Sequence, residues 1–228
     1  MSEKLSTSEP DTTVSVAIVY DSGSRGYPAL SGRTRVLADA VAKGARMVKG
    51  SAVTLIPVAD RASHWEVLDA ADAIVFGCPI YMGSGSAALK AFMEETIQPQ
   101  FLEQRWKDKL AAGFTNSAGM SGDKLLALHQ LAGFAAQHGM IWITLGQLPG
   151  WQTSVGSADD PNRLAPFLGL KVAAGCKIPA NEHIIVMMLF PSFQIIYSGC
   201  CTVAAHRARK NSNSRSSLFV ARCPQGQT

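Results

Sequence analysis

The chain is poor in charge and lacks the spacings that mark metal or dinucleotide sites. Asp, Glu, Lys and Arg together make up 17% of its 228 residues, against 47% apolar residues. That balance describes a globular protein with enough apolar side chains for a real core, on a length suited to one domain with an extension or to two small domains. Its five cysteines (Cys78, Cys176, Cys200, Cys201, Cys223) are odd in number and carry no metal-ligand spacing beyond one adjacent pair. No basic, apolar, small-residue signal is found in the polar opening "MSEKLSTSEPDTT". The expectation is a cytoplasmic protein with reduced thiols, residues 1–13 forming a flexible N-terminus. No internal repeat is found.

Nor is there a global charge excess. The formal net charge is +4, but residues 1–176 sum to −1 and residues 177–228 to +5. A near-neutral body gives no electrostatic case for nucleic acid. Three familiar motifs are missing as well. Gly26-x5-Gly32-Arg33-Thr34 approaches the triphosphate loop G-x4-G-K-[ST], but has one residue too many and Arg in place of Lys. "AIVFGCP" lacks the strand-terminal Asp that would hold Mg²⁺. The G-x-G-x-x-G fingerprint stops after Gly83 and Gly85, and the nucleophile-elbow candidate "GSGSA" lacks its last Gly. His64, His129, His183 and His206 read as surface or packing residues.

What is present is alternation. "VSVAIVY" (Val14–Tyr20) is apolar almost throughout, as a strand covered on both faces should be. From Thr34, a plausible N-cap, the positions Leu37, Ala40, Val41, Gly44, Ala45 and Val48 follow a helical period. "SAVTLIPV", "AIVFGCP", "LAAGFTNS" and "MIWITLG" supply four more strands. "SAALKAFMEETI", "GDKLLALHQLAGFAAQHG" (closed by Gly139) and "NRLAPFLGLKVAAG" read as helices. The fold class is α/β: a doubly wound sheet of five parallel strands with helices on both faces. Such sheets bind ligands at the carboxyl ends of their strands.

Three connections leave those ends with unusual chemistry: Tyr20–Thr34, Pro79–Ser86 and Thr115–Asp123. The first holds hydroxyls (Ser22, Ser24, Ser31, Thr34) and glycines (Gly23, Gly26, Gly32) ahead of a helix start. Backbone N–H groups at a helix N-terminus favour an anion, so a phosphate is its natural occupant. The second mixes Pro79, Tyr81, Met82 and small residues against which a flat ring could lie. The third adds hydroxyls, an amide and two glycines. A phosphate on one loop and a ring between the other two describe a mononucleotide.

The stretches "YDSG…SGRTRVLADAVAKGA", "GCPIYMGSGSAALKAFMEET" and "FTNSAGMSGDKLLALHQLAGFAAQHGMIW" resemble the flavodoxin-like family. Within it they are most similar to FMN-dependent NAD(P)H:quinone oxidoreductases of the Trp-repressor-binding-protein (WrbA) type and close flavodoxin-family relatives. The resemblance covers about Val14–Leu170. It implies FMN at the sheet edge, NAD(P)H as co-substrate, a quinone-like acceptor, and a homo-oligomer, dimer or tetramer. It implies phosphate contacts from Ser22, Gly23, Gly32, Arg33 and Thr34. Contacts to the flavin ring would come from Pro79, Ile80, Tyr81, Met82, Gly83 and Ser84. Thr115, Asn116, Ser117, Ala118, Gly119, Gly122 and Asp123 correspond to the family's third loop. His138, in "HGM", corresponds to a histidine near flavin and quinone, and so to the catalytic position.

The chain departs from that pattern in three places. Ser24–Leu30 is an insertion in the phosphate loop, and Ile80 stands where a hydroxyl residue is common. After "LGL" the family's closing helix is replaced by an apolar and then basic tail. The expected organisation is therefore a flavodoxin-like FMN-binding domain over 14–176 and an atypical tail over 177–228. Ile184–Val203 has the length of a membrane span, but Pro191, Gln194 and Ser198–Gly199 interrupt it, so membrane attachment is not the expectation. The rival reading is a flavodoxin-type electron carrier without its own NAD(P)H:quinone activity. A membrane-attached or inactive member, because of the divergent tail, is the other.

Overall fold

In the first strand, β1 (Val14–Tyr20), the last five residues are each no more than 4% exposed. A strand in that state must be covered on both faces, and a computed structural model shows how. It describes residues 13–23, 32–120, 122–151, 154–157, 162 and 164–173. The expectations that rest on Ser24–Leu30 and on residues 177–228 lie outside the described residues.

After β1 come α1 (Arg33–Met47), β2 (Ser51–Pro57), α2 (Trp65–Ala70), β3 (Ala73–Tyr81), β4 (Ser84–Gly85) and α3 (Ala87–Glu95). They are followed by β5 (Leu110–Ser117), α4 (Lys124–Gln137), β6 (Ile141–Trp142) and β7 (Leu170–Ala173). The strand order is β2-β1-β3-β5-β6, all parallel; β4 is antiparallel to β3, and β7 is parallel to β5. Strand residues alternate between faces. Ala17, Val19, Ile74, Phe76, Cys78 and Ala111 join Leu68 of α2, Leu89 and Phe92 of α3, and Leu128, Leu131 and Phe134 of α4 in one core. The intervening residues Val16, Ile18, Val75 and Ala112 are also buried, on the face where Leu37, Val41 and Ala45 of α1 pack. Each large aliphatic or aromatic side chain buried this way is worth about 1.5–3 kcal/mol.

Sequence order reverses between β1 and β3, since the chain leaves β1 toward β2 on one side and returns as β3 on the other. In open α/β sheets that switch point is where a crevice forms at the strands' carboxyl ends.

The fifth-strand position differs from expectation. "MIWITLG" pairs only at Ile141 and Trp142, beside Leu110 and Ala111. The carboxyl half of β5, Phe114–Ser117, pairs instead with Leu170–Ala173. The expected helix over "NRLAPFLGLKVAAG" is therefore in part a strand. Pro166 cannot donate within a helix, and Asn162 and Ala165 have positive φ. The open edge of β5, meanwhile, needs partners for its backbone groups. The two halves are stitched by Leu145 N–H donating to the Phe167 carbonyl (2.8 Å) and the Trp142 indole donating to the Leu168 carbonyl (2.9 Å). Gly169 permits this approach, because a Cβ there would stand 2.5 Å from the Gly113 carbonyl oxygen.

Candidate functional site

The three polar connections meet at the carboxyl ends of β1, β3 and β5. Only part of the second and third is loop. Pro79, Ile80 and Tyr81 belong to β3, which turns back through Met82 (φ 48°) and Gly83 (φ 84°) into Ser84 and Gly85. Two successive positive φ values make the tight turn that suits a two-residue hairpin. Thr115, Asn116 and Ser117 end β5, while Ala118, Gly119 and Asp123 are exposed and Gly122 is half-buried.

Thr34 is not the N-cap. Gly32 occupies that position at φ 82°, and Thr34 is the second helical residue, 1% exposed. Glycine is suited to this backbone, and the Gly32 N–H donates to the Ser22 carbonyl (3.3 Å). The first intrahelical bond joins Val36 N–H to the Gly32 carbonyl (3.1 Å). The N–H groups of Arg33, Thr34 and Arg35 therefore have no partner within the helix. The first turn contains no acidic residue, and Arg33 is exposed beside it. Apart from each glycine and its chain neighbours, no described atom lies within 4 Å of a Cβ built on Gly32 or on Gly83.

The three connections are braced pairwise. Between first and third, the Thr34 hydroxyl donates to Asn116 Oδ1 at 2.7 Å, with both residues buried. Between second and third, the Thr115 hydroxyl donates to the Cys78 carbonyl at 2.8 Å. Between first and second, Tyr81 fills the space that a side chain at Gly23 would need, its hydroxyl oxygen 2.1 Å from a Cβ built there. Gly23 also has φ 64°, so the position is closed to other residues twice over. The Tyr81 hydroxyl is buried without a hydrogen-bond partner among the described residues, and burial together with the Asp21 carboxylate raises its pKa. Tyr81 is thus a strut between loops.

Two residues beyond the sequence expectation complete the frame. Gln130 of α4 accepts the Gly85 N–H (3.1 Å), tying the hairpin to that helix. Lys124, 1% exposed, donates through Nζ to the carbonyls of Gly119 (2.5 Å) and Met120 (3.2 Å). A lysine just after a loop reads as solvated, and its one unusual sequence feature is a cation in a helix's first turn, the end that repels it.

His138 is not part of this site. It follows the last residue of α4, about 20 Å along that helix from Lys124, near the amino-terminal edge where Ile141 pairs with Leu110. Its ring lies between Phe134 and Trp106, both with centroids 4.7 Å away, and it is 2% exposed. The Thr96 hydroxyl donates to the Met93 carbonyl (2.7 Å), so Nε2 of His138 is the donor in its 2.9 Å contact with Thr96. Nδ1 is then a bare acceptor with no partner among the described residues, and burial lowers the pKa to about 4. The expected catalytic placement fails because an apolar aromatic cluster claims the ring. The Cys78 thiol, beneath the hairpin, is pushed up to about 12 by burial and is inert at neutral pH.

Known proteins resemble this chain in sequence and in fold. Residues 23–149 match the family described as NADPH-dependent FMN reductase. A 157-residue stretch, 68% of this chain and 78% of the relative, is 40% identical to Flavodoxin FldP of Pseudomonas aeruginosa (strain UCBPP-PA14). Flavodoxin of Aquifex aeolicus (strain VF5) is 34% identical over 101 residues, 44% of this chain and 52% of its own. Among solved structures, the flavodoxin, WrbA-like protein from Agrobacterium tumefaciens superposes with a TM-score of 0.59 at 29% identity. That match covers 80% of this chain and 99% of the other.

Proposed function

Because the chain belongs to the NADPH-dependent FMN reductase family, with the flavodoxin-like fold, we propose that it binds FMN at this edge and passes two electrons from NAD(P)H to a quinone-like acceptor. The observation that carries the proposal is the amino end of α1. Three N–H groups without helical partners, a first turn with no acidic residue, and Arg33 within that turn suit a phosphate. The open space beside Gly32 and Gly83 leaves room for the ligand.

Ser22, Gly23, Gly32, Arg33 and Thr34 hold the phosphate in this reading, chiefly through backbone donors, since the Thr34 proton is committed to Asn116. The hairpin Pro79–Ser84 and the segment Thr115–Asp123 flank the ring. Of these, Thr115 and Asn116 act from behind, holding the strand ends in register. When bound, FMN supplies the hydride and electron chemistry, which no side chain here provides. The protein binds it, orients it and leaves a face for the second substrate. No acid or base is required, which is consistent with His138 lying elsewhere.

The similarity to two proteins named flavodoxin favours a second reading, an electron carrier that docks on protein partners. One experiment separates the two. Purified protein should be yellow or take up FMN on titration; if it stays colourless, both readings end. Under anaerobic stopped-flow, NADH or NADPH should bleach the flavin and a quinone should restore its colour, with ping-pong steady-state kinetics. Flavin reduced by neither nucleotide leaves the carrier.

A further inference from the structure

We infer that Lys124 is the positioning residue of the ring-binding segment, fixing the backbone of Gly119 and Met120 so that it can meet the polar edge of the flavin. The inference rests on the FMN reading above. Lys124 is buried, yet it lies in the first turn of α4, where the helix dipole disfavours a cation. Burying an ammonium is costly, and an apolar side chain of similar volume often serves stability as well or better. Stability is therefore a poor reason for a lysine here.

Its contacts supply a better one. Two successive main-chain carbonyls, Gly119 and Met120, turn toward Nζ. These are charge-assisted bonds, stronger than neutral ones. The peptide joining Gly119 to Met120 is planar and trans, so its N–H points the opposite way from its carbonyl, away from Lys124 and the helix. By taking both carbonyls, Lys124 favours one face of the segment for carbonyls and the other for N–H. Gly119 and Met120 are exposed, and among the described residues other than its chain neighbours a Cβ on Gly119 would meet Gly122, at 3.6 Å or more. The Ser117 hydroxyl donates to the same Gly119 carbonyl at 3.1 Å, so that oxygen is the pivot. Backbone donors set in advance toward an electron-rich ring edge favour the reduced flavin over the oxidised one, because negative charge develops there.

The test uses full-length protein with Lys124→Met, which keeps the stem and removes the charge, and Lys124→Gln, which keeps one donor on a shorter stem. Affinities for FMN and for riboflavin are measured by fluorescence quenching, the midpoint potential of bound FMN by spectroelectrochemistry, and Tm on the flavin-free proteins. K124M should weaken FMN and riboflavin by the same factor, tenfold or more, because the lesion is at the ring and not at the phosphate. It should also make the bound-flavin potential more negative, with K124Q between K124M and wild type. Gly32→Val, at the phosphate loop, should weaken FMN far more than riboflavin. Unchanged affinity and potential in K124M overturn the inference. So does a loss of affinity in both variants that follows a large fall in flavin-free Tm with no change in potential, since that is a folding role. A wild-type protein that binds neither flavin removes the FMN reading and this inference with it, and is recognised before any variant is compared.

Discussion

The Thr34 hydroxyl, in the first turn of α1, donates to Asn116 Oδ1 at the end of β5, 82 residues later in the chain, at 2.7 Å and out of contact with water. The bond joins the two ends of the proposed FMN site. Thr34→Val keeps the shape but leaves a buried acceptor without its donor, at a cost of roughly 1–3 kcal/mol. Asn116→Ala should cost a similar amount. In urea denaturation the double variant should be less destabilised than the sum of the singles, by about 1 kcal/mol. Strict additivity would mean that the bond does not form in solution.

The Gly23–Tyr81 contact predicts opposite signs for two substitutions. Tyr81→Phe removes a buried hydroxyl that has no partner among the described residues, so it should be neutral or stabilising by up to about 1 kcal/mol. Gly23→Ala places a methyl where the Tyr81 hydroxyl stands and strains a positive φ, and should destabilise by roughly 1–3 kcal/mol. Combining the two should recover part of the loss, since the hydroxyl is the nearest atom. Thermal melts of the three variants decide this.

His138 should make stability pH-dependent. Its folded pKa is about 4, against roughly 6.5 in an unfolded chain. Between those values the unfolded chain holds a proton that the folded one excludes. Stability from this group is therefore complete above pH 6.5 and is lost as pH falls toward 4, by on the order of 2 kcal/mol. His138→Gln, which still donates to Thr96 but does not titrate, should flatten Tm between pH 4.5 and 7. Quinone turnover at neutral pH should stay within about twofold of wild type on this geometry; a hundredfold loss would return His138 to the active site.

The boundary near residue 176 is proposed on composition, and β7 ends just before it, at Ala173. Deleting 177–228 should leave FMN affinity within a few-fold and improve solubility, because an apolar run invites aggregation. Loss of folding or of flavin in the truncated protein would place the tail within the domain. Among the described residues, no helix is long and apolar enough to cross a membrane. Fractionation of cells expressing the full chain tests the span-length segment directly.

Local sequence alone determined a great deal of this protein. Strand and helix periodicity in Val14–Tyr20, Leu37–Ala45 and Leu128–Ala135 made the alternation of strand and helix legible, because which face of each element is apolar is written within a few residues of the chain. The glycines and hydroxyls around Gly32, Gly83 and Ser117 marked the edge that would carry a ligand for the same local reason. The tertiary structure decided what depends on groups far apart in the chain. It gave Leu170–Ala173 to the open half of β5, against their apparent helical period. The Thr34 proton went to Asn116, Tyr81 was lodged in the gap at Gly23, and Lys124 was turned inward onto two carbonyls. It also took His138 out of the site, into the cluster formed by Trp106 and Phe134. A side chain's direction and burial are set by whichever distant partner lowers the free energy most, and no window of neighbouring residues contains that partner.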